Sequence, residues 1–384
     1  MNNKPPKNWK RVTLGELLDY ERPDKYIVSS DDYSDSYKTP VLTAGKTFIL
    51  GYTNDTEGIY KNLPVIIFDD FTTESKYVDF DFKVKSSAMK ILKAENNITL
   101  KYLYYLMQTL SFNHDTHKRY WISEYSKLKI DIPDKIEEQQ EIVQVLDTMS
   151  DIIRLREECI SHARDLIPAL FQEMFKNYEN NTILLSSICD IKGGKRLPSG
   201  EKLIDAKTEH PYLRVTNFKN QNIDMNDIKY ITEDVYQKIS RYVITTDDIY
   251  ISIAGTIGLV GDIPNELNNA NLTENAARLI IDKKKVNKKY LIYCLNSTFL
   301  QQQIKEATVG VGVPKLALSR IGTLKIYLPD IKIQEQFAEK AIEIESYIKE
   351  QKEELENAKQ MFQSLLHHAF TGELTSKKDG ECNE

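Results

Sequence analysis

Side chains that suit nucleic-acid recognition are grouped in loop segments of the first part of the chain. The segment 113–121 combines two histidines, a lysine, an arginine and two aromatic rings. Basic side chains bind phosphate, and arginine, lysine and amide groups read base edges in the major groove. A surface turn closed by a core tryptophan is the alternative interpretation of this segment. The DNA contacts predicted in this part of the chain are Lys46, Lys85, Ser86, Ser87, His117, Lys118, Arg119 and Tyr120.

A second set of such residues follows after position 190. Two basic residues come directly after the pair Gly193-Gly194, and an arginine and an asparagine follow the strand predicted at Pro211. Three polar residues precede the strand predicted at Arg278, in the place that residues 85–87 hold earlier in the chain. The DNA contacts predicted in this part are Lys192, Lys195, Arg196, Arg214, Asn217, Asn271, Thr273 and Asn275.

Enzyme signatures are absent from the sequence. Residues 192–196 read Lys-Gly-Gly-Lys-Arg, which is not the GxxxxGK[ST] of a nucleotide-binding loop. No segment typical of a metalloprotease, a serine hydrolase or an amino-methyltransferase occurs. Asp69 and Asp70 follow a predicted strand, where a nuclease carboxylate could lie, but nothing with matching spacing appears later in the chain. We therefore predict no catalytic and no metal-binding residue.

Composition is typical of a soluble globular protein with two or three packed units. The 384 residues include four scattered cysteines and no apolar segment long enough to cross a bilayer, so we expect a cytoplasmic protein. The net charge of −6 is unevenly distributed: residues 1–131 carry +1, 132–177 carry −5, 178–327 carry +4 and 328–384 carry −6. A polyanion should therefore meet the first and third segments and avoid the other two.

The sequence contains an internal repeat. The matching pairs are 128–134 (LKIDIPD) with 324–330 (LKIYLPD), 101–105 (KYLYY) with 289–293 (KYLIY), and Pro40 with Pro211. They occur in the same order, and the spacing between partners grows along the chain, so insertions accumulate in the loops of the second copy. Each copy is predicted to have a globular part followed by a long helix.

The globular parts have the pattern of a mixed α/β fold. Short β-rich segments bounded by turn residues predict strands at 65–68, 84–92, 249–253 and 278–281. Amphipathic periodicity predicts short helices at 98–110 and 286–304. The arrangement of the sheets does not follow from this pattern.

Two long segments have the spacing of a coiled-coil seam. After Pro133 and Pro329, apolar residues recur at alternating steps of four and three, with Arg156 and Gln351 as breaks near the middle. Pro168 predicts a kink or an early end of the first helix, and Gly372 a stop for the second. We expect the two helices to pack antiparallel on each other. The predicted packing residues are Ile142, Leu146, Met149, Ile153, Ile160, Ile344, Ile348, Leu355, Phe362 and Leu365.

This layout resembles the specificity (S) subunits of type I DNA restriction-modification systems. The resemblance covers nearly the whole chain. It rests on a leucine-rich start (12–17, repeated at 184–188), a hydrophobic-proline segment leading to Glu-Gln (138–139, repeated at 335–336), and the ending 365–374. Each motif is weak alone, but their order, repeated twice, is specific.

The resemblance implies two target recognition domains, residues 1–131 and 178–327, each reading one half of a bipartite double-stranded DNA sequence. A central helix (132–177) and a C-terminal helix (328–374) would form an antiparallel two-helix coiled coil between them, with pseudo-twofold symmetry, followed by a flexible tail (375–384). The coiled coil would set the gap between the half-sites and dock two methyltransferase (M) subunits. The M subunits would carry S-adenosylmethionine, the restriction (R) subunits would use ATP and Mg²⁺, and this chain would hold no cofactor.

Two other functions fit parts of the pattern. A structural coiled-coil adaptor with protein-binding heads explains the helices but not two heads that share a framework and differ in their polar loops. A nuclease or methyltransferase with a degenerate site would show turnover by the purified chain, and the missing motifs count against it. A specificity protein of a system that only methylates is a related interpretation.

Overall fold

The structure, a computed structural model, describes residues 6–43, 47–110, 119–178, 182–308 and 314–376. The chain divides into two compact units. Unit 1 consists of residues 1–157 and 353–384, and unit 2 of residues 158–352. Each unit therefore contains one globular part and one half of each long helix. This division differs from the predicted boundaries, which separate the helices from the globular parts.

The elements of the first copy are short strands and one short helix, followed by a helix of 40 residues. They are β1 (Trp9–Thr13), α1 (Leu14–Leu17), β2 (Asp19–Glu21), β3 (Thr39–Leu42), β4 (Ile49–Thr53), β5 (Val65–Asp69), β6 (Ser75–Val78), β7 (Lys83–Val84), β8 (Met89–Lys93), α2 (Asn97–Met107), β9 (Lys129–Pro133) and α3 (Ile136–Phe175).

The second copy has more elements and ends in another helix of 40 residues. They are β10 (Thr182–Leu184), β11 (Cys189–Gly193), β12 (Pro211–Leu213), β13 (Phe218–Lys219), β14 (Asn222–Ile223), β15 (Lys229–Tyr230), α4 (Glu233–Ile239), β16 (Val243–Ile244), β17 (Ile249–Ser252), β18 (Val260–Gly261), β19 (Ala270–Leu272), β20 (Ala276–Ile281), α5 (Lys288–Asn296), α6 (Thr298–Ala307), α7 (Leu318–Gly322), β21 (Lys325–Tyr327), α8 (Ile331–Phe370) and α9 (Glu373–Ser376).

Both units have the same arrangement of sheets. The described residues of unit 1 form three sheets. The first is the antiparallel pair of β1 and β9. The second has the strand order β2-β8-β5-β6, and the third has the order β4-β3-β7, in which β3 and β7 are parallel. In the ranges described, unit 2 has three corresponding sheets. The first is the antiparallel pair of β10 and β21, and the second has the order β11-β20-β17-β18. The third has the order β15-β12-β19-β16, in which β12 and β19 are parallel and β16 is an additional strand. The hairpin β13–β14 and helix α4 lie between β12 and β19, where the second copy is longer.

Two predicted elements are each divided in the structure. The predicted strand 84–92 consists of β7 and β8, because residues 85–88 form the loop between them. The predicted helix 286–304 consists of α5 and α6. Ser297 ends the first and begins the second, since its side chain accepts a hydrogen bond from the backbone N–H of Leu300.

Within each unit, the two long helices contribute to one core. In unit 1, Ile142 and Leu146 of α3 lie in the same buried cluster as Leu366 and Ala369 of α8. In unit 2, Ile167, Phe171 and Phe175 of α3 lie with Phe337 and Ala341 of α8. Early residues of one helix thus meet late residues of the other in both units.

Most of the predicted packing residues are buried. Ile142, Leu146, Met149, Ile160, Ile348 and Leu355 are all buried, whereas Ile153 and Ile344 are half-buried. Phe362 and Leu365 are half-buried against the unit 1 core. At this one turn the fully buried residue is Leu366 instead of the predicted Leu365.

Helix α3 continues through Pro168 to Phe175, so of the two predicted alternatives the early end is wrong, and the kink stays a prediction. A proline inside a helix costs about 3 kcal/mol. The next turns offset this cost, because Phe171 and Phe175 are 5% and 1% exposed and pack on Tyr290 and Phe337. Burying each phenylalanine contributes about 1.5–3 kcal/mol. The stop predicted at Gly372 agrees with the structure, since α8 ends at Phe370 and Gly372 has a φ of +79°.

A buried glutamine at the start of each long helix ties it to its globular part. The Gln139 side chain donates to the Pro133 carbonyl (3.1 Å) and accepts from the Thr99 hydroxyl (2.9 Å). The Gln334 side chain donates to the Pro329 carbonyl (2.9 Å) and accepts from the Asn287 N–H (2.9 Å). The predicted match of Gln139 with Gln336 is therefore wrong, because Gln334 holds the equivalent place.

Across these described ranges, no helix has both the length and the apolar character needed to cross a membrane.

A buried ion pair in unit 1 gives the first testable prediction. The Lys90 and Asp70 side chains, 4% and 3% exposed, lie 3.1 Å apart, and an Asp70 carboxylate oxygen accepts the N–H of Trp121 (2.8 Å). Asp70→Ala leaves the Lys90 ammonium buried without its carboxylate, so the free energy of unfolding should fall by about 3–5 kcal/mol. Tryptophan fluorescence during urea unfolding measures this, because Trp9 and Trp121, the only tryptophans of the chain, both lie in unit 1.

The exposed pair Lys61–Asp81, with nitrogen and oxygen 3.9 Å apart, supplies the control. Asp81→Ala should change the free energy of unfolding by less than about 0.5 kcal/mol. Equal effects of the two substitutions would contradict a structural role of the buried pair.

Candidate nucleic-acid interface

A basic turn in unit 2, residues 192–196, is fixed against the end of β19. The Gly194 N–H donates to the Ala276 carbonyl (3.0 Å), and the Lys195 N–H donates to the Leu272 carbonyl (2.8 Å). A Cβ atom at Gly194 would lie 2.1 Å from the Thr273 carbonyl oxygen, so only glycine permits this approach. The backbone of the turn is therefore held in place, and its basic side chains extend from a rigid base.

The side chains of this basic turn combine charge with aromatic surface. Lys192, Lys195 and Arg196 are all exposed. The Lys195 ammonium lies 5.6 Å from the centre of the Tyr242 ring, and the Lys195 carbonyl accepts the Tyr212 hydroxyl (2.7 Å). Burial raises the pKa of Tyr212 to about 12, so its hydroxyl stays a neutral donor. Arg196 lies 3.4 Å from Glu274 and is 72% exposed, so this ion pair is weak and leaves Arg196 accessible to phosphate.

Three of the predicted DNA contacts in unit 2 are structural residues instead. The Asn217 side chain is 1% exposed and binds the Arg214 N–H and the Asp227 carbonyl. Asn271 is fully buried and donates to the Ile239 carbonyl (3.0 Å). Thr273 is 5% exposed. The prediction that these side chains read bases is therefore wrong, because each of them lies below the surface.

Two further predicted contacts remain partly accessible. The Arg214 guanidinium donates to the carbonyl (2.6 Å) and the carboxylate (2.7 Å) of Asp227, and this side chain is 26% exposed. Binding of DNA by Arg214 would have to displace that carboxylate. Asn275 is half-buried, and its carbonyl accepts the N–H groups of Ile253 and Ala254. Its role in reading DNA stays a prediction.

In unit 1 the corresponding loop follows β7 and consists of residues 85–88. Ser86 and Ser87 are exposed, and Lys85 is half-buried. The Lys85 ammonium forms an ion pair with Asp31 and lies 5.8 Å from the centre of the Tyr33 ring. The hydrogen bond with Asp31 raises the pKa of Lys85. Because Asp31 is 75% exposed, phosphate can replace it at little cost.

The loop 85–88 of unit 1 and the loop 273–275 of unit 2, which joins β19 to β20, occupy equivalent places in the repeated fold. The Lys85 N–H donates to the Leu42 carbonyl (2.9 Å), and the Thr273 N–H donates to the Leu213 carbonyl (3.0 Å). In both units the loop thus follows the second strand of the parallel pair and lies beside the end of the first. The sequence predicted that residues 85–87 hold the place of Asn271, Thr273 and Asn275. This geometry matches Lys85 with Thr273, whereas Asn271 lies within β19, before the loop.

The segment with the densest cluster of predicted contacts is described only in part. Arg119 is exposed, as predicted. Tyr120 is 2% exposed in the unit 1 core, where its N–H donates to the Asp70 carbonyl (2.9 Å), so its prediction as a DNA contact is wrong. This burial agrees with the alternative of a turn closed by core aromatic residues. Lys46, His117 and Lys118 lie outside the described residues.

Sequence reasoning missed two aromatic residues that lie beside the predicted lysines, and one arginine at an equivalent strand end. Tyr33 and Tyr242 supply the rings next to Lys85 and Lys195. Arg22 is exposed directly after β2, the strand equivalent to β11. Aligning the two copies would have found it, because Arg22-Pro23 corresponds to Arg196-Leu197-Pro198 after the equivalent strand.

The arrangement can bind and position a polyanion, and its residues do not suggest catalysis. Asp70, the carboxylate considered for a nuclease, is committed to Lys90 and Trp121. Within the ranges that the structure describes, no group of three or more His, Cys, Asp or Glu side chains could hold a metal ion. His368 lies 2.6 Å from Glu373 on the second long helix.

Comparisons with known proteins agree with this picture. The family model "Type I restriction modification DNA specificity domain" matches twice, at residues 6–162 and 177–357. The EcoR124I/EcoR124II specificity subunit of Escherichia coli is 36% identical and covers 85% of this chain and 84% of its own length. The MjaVIII specificity subunit of Methanocaldococcus jannaschii is 22% identical and covers 97% of this chain and 94% of its own length.

A solved structure shows the same fold. The S subunit of a type I restriction-modification system from M. genitalium aligns over 96% of this chain and 97% of its own length, with a TM-score of 0.60 and 19% identity.

Gly194 gives a second prediction. Gly194→Ala would force the basic turn away from the carbonyls of residues 272 and 273. Binding of a mixed-sequence DNA duplex should then weaken on the order of tenfold, because Lys195 and Arg196, which are predicted to contact phosphates, would be displaced. Fluorescence anisotropy at one fixed salt concentration measures this. Gly193→Ala is the matched control, because a Cβ there meets only the Leu318 side chain at 3.4 Å. If both variants bind like the unmodified chain, the basic turn does not contact DNA.

Proposed function

We infer that each globular part of this chain reads one half of a bipartite DNA target, because the chain belongs to the family of DNA specificity subunits of type I restriction-modification systems. Members of this family recognise the DNA target and leave the chemistry to other subunits, so the chain is not an enzyme by itself. The observation that supports recognition of one half-site by each unit is the repeated sheet order, in which a polar loop follows the parallel strand pair of each unit.

The two loops differ in chemistry, which supports two different half-sites. In unit 1 the loop begins with Lys85 and continues with two exposed serines. In unit 2 the equivalent loop begins with the buried Thr273, and the neighbouring basic turn supplies Lys195 and Arg196. Phosphate contacts fix the position of a protein on the duplex, whereas base contacts select the sequence. A shared framework with different loop side chains is therefore suited to binding one geometry while selecting two sequences.

We further propose that α3 and α8 form an antiparallel two-helix coiled coil that relates the heads by pseudo-twofold symmetry and sets the gap between half-sites. The contacts within each unit support the opposite directions. In unit 1, Glu157 lies 2.8 Å from Lys359, and Arg156 pairs with Glu354. In unit 2, the Cys159 thiol lies 3.1 Å from the Tyr347 hydroxyl. These pairs are partly exposed and contribute about 0–1 kcal/mol each, so the apolar seam supplies most of the stability.

The exposed surface of the long helices is suited to docking the methyltransferase subunits. Each unit leaves large apolar side chains exposed on α3 and α8. They are Ile136, Val145, Ile152, Leu155 and Met361 in unit 1, and Leu166, Ile342 and Tyr347 in unit 2. Exposed apolar side chains grouped on a helix are typical of an interaction surface. Because both units have such residues, we propose two M subunits for each chain.

The remaining cofactors belong to the partners in this proposal. The M subunits would carry S-adenosylmethionine and methylate adenine, and the R subunits would use ATP and Mg²⁺, in the cytoplasm. The chain itself contributes the DNA-binding loops and the spacing. Its net charge of −6 favours only weak DNA binding alone, because neutralising phosphates supplies much of the affinity.

Exchanging one head gives a third prediction. Residues 1–131 are replaced by the corresponding segment of another family member, the chain is co-expressed with its methyltransferase subunit, and methylated adenines are mapped by sequencing. One half-site should change while the other half-site and the gap stay the same, since unit 2 is untouched. A change in both half-sites, or in neither, would contradict the hypothesis that each globular part recognises one half-site independently.

Lengthening both helices gives a fourth prediction. Seven residues inserted after Glu157 and seven after Lys352 keep the seam in phase and add about 10 Å to each helix. The mapped target should keep both half-sites and gain about 3 base pairs between them. Insertion into α3 alone should instead abolish methylation, because the seam residues no longer match. An unchanged gap in the double insertion would contradict a spacer role.

A further inference from the structure

Unit 2 has a long groove that DNA reading and helix pairing leave unexplained. A cavity of about 590 Å³ lies between α3, α8 and the tip of the hairpin β13–β14. A second cavity of about 370 Å³ continues along the end of α3 to the start of α6. The two cavities share Pro168, Gln221 and Tyr293 in their walls, so they form one continuous depression, the unit 2 groove.

The first end of the unit 2 groove is basic. Lys289 lies 2.8 Å from Glu345 and is neutralised by it, and Asp262 pairs with Lys288. Arg164, Lys349 and Lys352 also line this end and are exposed, and none of the three has an ion pair with a residue that the structure describes. Three unneutralised cations around one cavity favour a negatively charged occupant.

The other end of the unit 2 groove is aromatic. Phe171, Phe175 and Tyr327 form its floor, and Phe299 packs on Tyr327 with ring centres 5.0 Å apart. Phe299 is nevertheless 38% exposed at the rim. Asn296 and Gln221 add amide groups to the walls. The Asn296 NH₂ group donates to the Val260 and Ile292 carbonyls, so only its amide oxygen can accept from a peptide backbone, whereas the Gln221 amide can both donate and accept. The chemistry of this end suits a large apolar side chain flanked by peptide groups.

Pro168 lies where the two ends meet. Because proline has no N–H, the Arg164 carbonyl lacks the donor that position 168 supplies in a regular helix. Both residues line the first cavity. Pro168 thus removes one helical hydrogen bond at the wall of the groove.

The opposite wall is the firmly held turn of the hairpin β13–β14. Asn220 and Gln221 have φ values of +51° and +61°, which side chains rarely adopt. The Gln221 carbonyl accepts the Asp262 N–H (2.9 Å), and a Cβ at Gly261 would lie 2.3 Å from that carbonyl oxygen. Positive φ at both central residues is the usual geometry of a two-residue β-hairpin turn, so this hydrogen bond and the close approach at Gly261 hold the wall in place. The groove is therefore preformed.

We propose that the unit 2 groove binds an acidic segment of a partner protein, in which carboxylates contact Arg164, Lys349 and Lys352 and a neighbouring aromatic or large aliphatic side chain enters beside Phe299. The charge of the basic end and the aromatic floor select this occupant together. The combined size of the cavities exceeds the needs of a single side chain and fits an extended stretch of several residues. This binding is separate from DNA reading.

A peptide selection on the full chain tests the proposal. A random peptide library displayed on phage is selected on the purified chain, and the affinities of the enriched peptides are measured by fluorescence anisotropy. The enriched peptides should combine acidic residues with an aromatic or large aliphatic residue. Their affinity should fall on the order of tenfold for the double variant Lys349→Glu/Lys352→Glu and for Phe299→Ala.

Lys340→Glu is the matched control, because Lys340 is exposed on the same helix but does not line the groove. It should leave the affinity unchanged, and circular dichroism should show the same helix content in every variant. The proposal is overturned if no peptide of this composition is enriched, or if the enriched peptides bind the double variant as well as the unmodified chain. It is also overturned if the double variant loses binding of a single-stranded oligonucleotide instead, which would assign the groove to phosphate.

Discussion

The fold depends on one constraint: each unit completes its core with the end of a long helix that starts in the other copy of the repeat. Unit 1 buries Leu366 and Ala369, which come from the last turns of α8. Unit 2 buries Phe171 and Phe175, which come from the last turns of α3. Neither globular part buries its apolar surface with its own copy alone. Because burial of such side chains contributes about 1.5–3 kcal/mol each, the two helices cannot separate without exposing both cores.

This constraint explains where polar groups are buried. At the helix starts, Gln139 and Gln334 each donate to a backbone carbonyl. Gln139 also accepts from the Thr99 hydroxyl, and Gln334 accepts from the Asn287 N–H. Each helix therefore leaves its globular part in a fixed direction. A buried polar group left without a partner costs about 1–3 kcal/mol, so this geometry resists change. The loops that differ between the units, residues 85–88 and 273–275, follow strands β7 and β19 and are distant in sequence from these glutamines. Recognition residues can therefore vary while the frame stays the same, which is what a specificity subunit requires.

Much of the fold could be predicted from the sequence because it follows periodic patterns. The seam of α3, the match of LKIDIPD with LKIYLPD and the strand at Val65 are all patterns of burial, and burial depends mainly on side-chain type. The position of the sheets could not be predicted, because the parallel pairs β3–β7 and β12–β19 join strands far apart in sequence. The burial of Leu366 instead of Leu365 was also out of reach, since packing against a globular core favours a different period from packing against one helix.

The candidate site was predictable only where exposure follows from residue type. Lys195 and Arg196 are exposed as expected of charged residues after a glycine pair. Asn217 and Asn271 belong to residue types that are usually exposed, yet both are buried by hydrogen bonds to backbone groups that only the tertiary structure brings near.

Pro168 shows the opposite case, in which a local rule predicted a kink or an early end of the helix and the structure contradicts the early end. The local cost of about 3 kcal/mol is real, but it competes with the burial of two phenylalanines further along the same helix. The helix therefore continues to Phe175. In α3, burial further along the chain outweighs the local cost at Pro168.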